Sequence, residues 1–319
     1  MIRYYTSILS FLVILLSINF AKAEMQTLWV YTSVYKEYAS ELEKTFEHKY
    51  PQVDVQIFQA GSEKLQAKIE AEILSQKPVA DLVMVSDPIW GRDLEKRDLV
   101  AIRKGHQTIE DNYYSAMVLI VHNKLPKDKR PTRFSDLIKP DFKSLIQMGN
   151  PLESGSTFTM VSILSQKLGW DYFKKLKENK IGSSGGNSSV IQKIESGEKK
   201  IGIVLLENAL AAIKRNSPIE IIYPQDGAII IPSIQVIMKK TAHFEIASQF
   251  ADFVISKEGQ EIIKSGYMYS VRKDVKAPDG ALSFVELSKN AQQFSDTEMK
   301  DIGSKAKAIK KTFSEIILE

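Results

Sequence analysis

The sequence predicts an α/β chain with mostly parallel sheets, folded as two lobes. Short runs rich in branched and aromatic residues alternate with apolar stripes at helical spacing, and Pro or Gly punctuates the exchanges. The chain has 319 residues, more than one hydrophobic core usually serves.

In chain order, Thr27 to Thr32, Val53 to Phe58, Asp81 to Val85 and Met117 to His122 read as strands. Tyr38, Leu42 and Phe46 recur at helical spacing between the first two, and Pro51 stops that helix. Leu65, Ile69 and Ile73 repeat the stripe before the third strand. Leu145 to Met148, Ile201 to Leu206, Ile219 to Tyr223 and Ser233 to Met238 are further strands, again separated by helical stretches. Pro126 to Pro131 reads as a loop, and no internal repeat is visible. Parallel sheets bind ligands beyond the carboxyl ends of their strands. Here those ends are Thr32-Ser33, Ala60-Gly61-Ser62, Ser86-Asp87 and the segments after Met148 and Leu206.

Residues 1–23 carry Arg3, an apolar run from Ile8 to Phe20 and the small-x-small site Ala21-Lys22-Ala23, the pattern of a cleaved secretory signal. The run contains Ser10 and Ser17 and is shorter than the roughly 20 residues of a spanning helix. Cysteine is absent, which excludes disulfides, thiolate chemistry and an acylated N-terminal cysteine, so the expectation is a periplasmic protein with no lipid anchor. The net charge of +4 falls to +2 once Arg3 and Lys22 leave, a balance that argues against nucleic acid as partner. Lys305, Lys307, Lys310 and Lys311 lie on a C-terminal helix with Ile309, Phe313, Ile316 and Ile317, and read as a solvated face above docked apolar residues.

Two small-polar clusters carry the functional signal. Ser154-Gly155-Ser156-Thr157 stands before the stripe Phe158, Val161, Leu164, Leu168, and Asn187-Ser188-Ser189 before Val190, Ile191, Ile194. A helix start presents backbone N–H groups without intrahelical acceptors and the positive end of the dipole, so two starts facing one cleft would hold a phosphate-like group. Each cluster read alone is equally a plain cap. Tyr31, Tyr35, Tyr113 and Tyr114 are candidates for the cleft wall or for amphipathic packing. Glu207, after the strand ending at Leu206, and Asp226, in Tyr223-Pro224-Gln225-Asp226-Gly227, suit the polar or cationic tail of an anionic ligand, or are solvated.

Other chemistries find less support. Gly182 to Gly186 matches G-x-S-x-G, with Asp226 and His243 following in hydrolase order, but Lys177 to Lys180 before it is charged where a buried strand is required. The four histidines have no paired spacing, and zincin, EF-hand and Walker A patterns are missing, so no metal and no cofactor is expected.

The ordered set of pieces resembles the ferric-iron-type periplasmic binding proteins of ABC importers, which have the type II binding-protein fold. The pieces are Val30-Tyr31-Thr32-Ser33, Ala80-Asp81-Leu82-Val83, Phe134-Ser135-Asp136-Leu137, Asn150-Pro151 running into Ser154-Gly155-Ser156-Thr157, Asn187-Ser188 ahead of Glu195-Ser196-Gly197-Glu198, Gly202-Ile203, Tyr223 to Gly227 and Ser256-Lys257-Glu258-Gly259-Gln260. Iron binders of that family use two adjacent tyrosines, a histidine and an acid. Those positions fall here near Glu207-Asn208, Tyr35 and Ser86, which removes the hard phenolate donors of ferric ion. The family's anion site looks intact at Ser154, Gly155, Ser156 and Asn187. The pattern is similar to relatives that bind hexose phosphates or 2-aminoethylphosphonate.

The resemblance implies a binding protein rather than an enzyme, a monomer delivering an anionic solute to a permease and an ATPase encoded elsewhere. It implies Ser33, Ser62, Ser86, Ser154, Gly155, Ser156, Asn187 and Ser188 on the anion, Tyr35 beside it, and Glu207 and Asp226 on the tail. The expected lobes are 24–118 with 236–285 and 119–235 with 286–319, joined by crossovers near Met117 and Gln235. An atypical ferric binder, a polyamine binder using Glu207 and Asp226, and a secreted hydrolase remain as alternatives.

Overall fold

A computed structural model describes residues 25–319, so the signal-peptide reading of residues 1–23 lies outside the described residues. The first half runs β1 (Gln26–Thr32), α1 (Lys36–Lys49), β2 (Val53–Gln59), α2 (Ser62–Leu74), β3 (Leu82–Val85), α3 (Pro88–Lys96) and β4 (Glu110–His122). The second half follows with β5 (Ile146–Met148), α4 (Gly155–Leu168), α5 (Trp170–Glu178), the two-residue β6 (Gly182–Ser183), α6 (Asn187–Glu195), β7 (Ile201–Leu205), α7 (Leu206–Lys214), β8 (Ile219–Ile222) and β9 (Ile229–Ile237). Helices α8 (Phe244–Ile255), α9 (Lys257–Ser265), α10 (Phe284–Ser288) and α11 (Asp296–Phe313) close the chain.

Nine strands are linked in the order β2-β1-β3-β9-β4-β7-β5-β6, with β8 on β4. The expectation of mostly parallel sheets needs correction: four pairings are parallel and four antiparallel. The antiparallel ones all involve β4 or β9, which return against the parallel strands as they pass from one half to the other. Both begin earlier than the sequence suggests. Glu110 to Met117 pairs with Gln235 to Ile229, and beyond Met117 the same strand runs between β7 and β8. Polar residues hide the start of β4: Glu110 meets Arg103 and Gln235, and the Asn112 carbonyl accepts from Gln260. The seventh strand ends one residue early, because Leu206 already belongs to α7.

Each half is an αβα sandwich. Leu28, Val30, Leu42, Phe46 and Phe250 fill one face of the β1–β3 sheet, and Leu65, Ile69, Val83, Trp90 and Val236 fill the other. In β4, Met117, Leu119 and Val121 point into the core with Phe142, Val161 and Phe173, whereas Ala116, Val118 and Ile120 point the opposite way. This two-residue alternation makes β4 apolar on both sides, as a strand covered by helices on both faces must be.

Helix α11 touches both halves, so residues 286–319 are not confined to the second. Phe313 and Ile317 complete the core over α5, while Met299 and Ile302 pack against Ile89 of α3 and Phe158 of α4. Lys310 departs from the expected solvated face: it is bonded to both carboxylate oxygens of Glu63 at 2.7 Å and lies over the Phe158 ring. Removing the Phe313 ring, which is fully buried, opens a cavity in the second core. Phe313→Ala is expected to lower unfolding stability by about 3 kcal/mol, read as a lower urea midpoint at unchanged slope.

Candidate functional site

The carboxyl ends of β1, β2, β3, β5 and β7 converge on one cleft of ≈ 310 Å³ between the halves, and helices start there. The N-cap residues of α1, α2, α4, α6 and α7, namely Tyr35, Gly61, Ser154, Gly186 and Leu205, all line it. The first-turn N–H groups of these helices have no intrahelical acceptor, and each helix adds about half a positive charge at its start. Five such starts around one cleft present backbone N–H donors to it, an arrangement that suits an anion.

The side chains reinforce it. Ser154 Oγ accepts from Thr157 N at 3.3 Å and lies 3.1 Å from Ser156 Oγ. Asn187 donates to Ser156 Oγ at 3.2 Å and accepts from Leu205 N at 3.2 Å, fastening the starts of α4, α6 and α7 together. Asn187 is therefore a brace rather than the cap of α6, which is Gly186. Across the cleft, Ser33 Oγ accepts from Ser86 N at 3.1 Å, and Ser86 Oγ lies 2.9 Å from the Tyr113 hydroxyl. Ser62 and Ser188 complete the hydroxyl lining at the starts of α2 and α6.

Gly155 marks the place where α4 meets the first half. A Cβ there would lie 2.9 Å from Ser62 Cβ and 3.0 Å from Asp87 Cβ, so only glycine permits this approach.

Glu207 forms part of the floor, 3% exposed, with Ser115 Oγ donating to it at 2.6 Å. Burial pushes its carboxyl up to about 7, against the Ser115 hydrogen bond. Beside it Tyr35 OH donates to Asn208 Oδ1 at 2.6 Å; burial, with the Glu207 charge adding, holds this phenol well above its ordinary value. Asp87, capping α3 through Trp90 N, is also pushed up to about 7 by burial, with the Trp90 N–H opposing and Glu63 adding.

The structure thus brings Ser33, Tyr35, Ser62, Ser86, Ser154, Gly155, Ser156, Asn187, Ser188 and Glu207 to one cleft. Asp226 is not there. Its two oxygens accept from Phe134 N and Ser135 N at 3.0 and 3.1 Å, capping the 3₁₀ turn Phe134–Ile138, so its expected role on a ligand tail is corrected to a structural one. His243 lies 3.3 Å from Asp81, which takes apart the hydrolase order Ser184, Asp226, His243. Sequence reasoning passed over Gln59, Lys64, Glu153 and Gly186 on the cleft wall, and left Tyr113 undecided. The signal for Lys64 was available: a basic residue in the first turn after Gly61-Ser62 points back at the same opening. Among the described residues, no group of three or more His, Cys, Asp or Glu side chains could hold a metal ion.

Two α/β halves sharing strands β4 and β9, with a polar cleft fed by helix starts from both, define a two-lobe solute-binding protein. The profile of the bacterial extracellular solute-binding protein family matches residues 28–268, and the chain belongs to that family. A putative 2-aminoethylphosphonate-binding periplasmic protein of Salmonella typhimurium is 25% identical over 221 residues, 63% of this chain and 65% of that protein. An uncharacterized protein of Haemophilus influenzae is 26% identical over 143 residues, 44% of this chain and 41% of its own length. The matches therefore span less than two thirds of these relatives.

The periplasmic binding protein AfuA from Actinobacillus pleuropneumoniae, solved with exogenous fructose-6-phosphate, superposes with a TM-score of 0.79 at 22% identity over 92% of this chain and 99% of that one. Iron-bound HitA from Pseudomonas aeruginosa gives 0.78 at 19% identity over 90% and 99%. At such identity the structures establish the type II binding-protein fold. The family and its structural neighbours are binding proteins, and so is this chain, not an enzyme.

The raised carboxyls have a consequence for stability. Between about pH 4.5 and 7 the folded protein holds protons on Glu207 and Asp87 that the unfolded chain releases. Their stabilisation is fully present below the ordinary carboxyl range and is lost as pH rises through about 7, on the order of 3 kcal/mol for each group. The ligand-free protein should melt lower at pH 8 than at pH 5.5, and Glu207→Gln should shrink that difference. An unchanged difference would mean that Glu207 titrates normally.

Proposed function

We propose that this chain is the periplasmic solute-binding component of an ABC importer and that its ligand is a small organic phosphate or phosphonate. The observation that carries the reading is the convergence of five helix N-caps on one cleft, with Ser154, Ser156 and Asn187 tying three of those starts together. Hydroxyls and backbone N–H groups supply neutral donors in fixed directions, which suits a tetrahedral oxyanion. Lys64 is the cationic side chain on this wall, whereas Glu153 and Glu207 are acidic. A bare anion gains nothing from those acids; a head group with a polar or cationic tail does.

The relatives fit this reading, one named for 2-aminoethylphosphonate and one solved with fructose-6-phosphate. Ser33, Ser62 and Ser86 come from the first half, and Ser154 to Ser156 with Asn187 and Ser188 from the second. A ligand bonded to both favours the closed arrangement by its differential affinity, and the closed form is what a permease and its ATPase would receive. Export fits the pattern of residues 1–23. The donors at Tyr35, Ser86 and Glu207-Asn208 are a phenol hydrogen-bonded to an amide, a hydroxyl, and a buried carboxyl, which disfavours a ferric site.

Thermal unfolding against free phosphate, 2-aminoethylphosphonate, hexose phosphates, polyamines and ferric citrate tests the proposal. Ligand at ~100 times its Kd adds roughly 2.7 kcal/mol of apparent stability, a shift of a few degrees. The expected shift is confined to organic phosphates and phosphonates; one with ferric citrate or polyamines alone would overturn the reading. Ser154→Ala and Asn187→Ala are each expected to weaken the phosphonate or phosphate ester about tenfold or more in titration calorimetry.

A further inference from the structure

A second cavity of ≈ 340 Å³ adjoins the first, and Tyr35, Ser188 and Glu207 belong to the walls of both. A solute whose head sits among the helix starts and whose tail exceeds two carbons could extend past these shared residues into the second cavity. The beginning of α1 and the outer face of α6 and α7 form the rest of the second wall.

Its chemistry differs from that of the anion cleft. Tyr35 and Tyr38 present aromatic rings, and Glu37, Glu195 and Glu207 are acidic. Arg215 lies 3.8 Å from Glu195, whose carboxylate also receives the Ser217 hydroxyl, so that pair is satisfied. Among the described residues no cation stands within ion-pair distance of Glu37 or Glu207. Glu207 is buried and receives Ser115 on one oxygen, which leaves acceptor capacity on a side chain that belongs to both cavities. Two acids without an ion-pair partner among the described residues, Glu37 and Glu207, in a wall that also holds Tyr35, Tyr38 and the Arg215–Glu195 pair, suit an ammonium group.

We propose that the second cavity is a tail site, and that the solute is a zwitterionic phosphate or phosphonate whose tail passes Glu207 and ends in a cation between Glu37 and Tyr38. This rests on the reading of the first cleft as the seat of the anionic head. Glu207 belongs to the walls of both cavities, and Tyr38 lines the second beside Glu37. The head fixes the class of solute, and the second cavity selects its length and charge.

Titration calorimetry of the purified protein with five probes tests this: inorganic phosphate, 2-aminoethylphosphonate, 6-aminohexylphosphonate, hexylphosphonate and fructose-6-phosphate. The aminohexyl compound is expected to bind at least tenfold more tightly than either the aminoethyl or the uncharged hexyl compound. Glu37→Gln and Tyr38→Leu should remove most of that advantage and leave 2-aminoethylphosphonate binding as it was, which also shows that the variants are folded. Equal affinity for all three phosphonates, or an advantage that survives both substitutions, overturns the tail site while the head site stands. Tighter binding of a hexose phosphate than of the aminohexyl compound overturns the cationic end. Failure of every phosphate and phosphonate to bind overturns the head site, and the tail site with it.

Discussion

Backbone N–H groups at helix starts cannot be satisfied by their own helices, and here five such starts open onto one cleft. Much of the surrounding structure serves to hold them there. Short connections from the ends of β1, β2, β5 and β7 aim the helices inward, and the Asn187 amide bridges from Ser156 to Leu205 so that three starts move as one body. Close contact is needed where the halves meet, and Gly155 supplies it by having no side chain. Directed neutral donors of this kind keep their geometry whether or not a ligand is present, so little ordering cost falls on binding.

Much of this was legible in the sequence because it is local. A strand end followed by Ser or Gly and then an apolar stripe states its own meaning, and Ser33, Ser62, Ser86, Ser154 and Asn187 all arrive at the cleft from such patterns. What escaped depends on contacts distant along the chain. Asp226 looks like a free acid in a turn until Phe134 and Ser135 come to it from more than ninety residues away. Lys310 looks like one more solvated lysine until Glu63 approaches across the halves. The mixed sheet was hidden for the same reason, since strand direction in β4 and β9 follows from how they cross and not from their composition.

The crossing strands and α11 together restrict how the halves can move. Strands β4 and β9 pair over Glu110 to Met117, with one register shift between Asp111 and Tyr113, and carry both sheets, so relative motion must be a bend along them rather than a slide. Helix α11 is rooted in the second half through Phe313 and Ile317 and leans on the first through Ile89 and Glu63. Its Met299 and Ile302 contacts are apolar and non-directional, and tolerate rotation better than displacement. The Lys310–Glu63 bond is the directional part of that contact, and it lies at the start of α2, one residue from Ser62 in the cleft. Opening the cleft would therefore pull on a segment that lines it.

Glu207 presents the sharpest conflict with the proposed ligand, a carboxyl lining the cleft where the anionic head would bind. Two like unit charges ~5 Å apart repel by ~3 kcal/mol at an effective dielectric constant of ~20, enough to cost about a hundredfold in affinity. Burial resolves the conflict by holding Glu207 at about 7, so that near neutrality the group stands ready in either form. An anionic head drives it toward the proton-bound form, which both donates and accepts hydrogen bonds. A cation on the same ligand drives it the other way and gains a buried ion pair. On the proposed reading the proton on Glu207 would follow the charge distribution of the solute, so that a single buried carboxyl could admit a phosphate while still discriminating among tails.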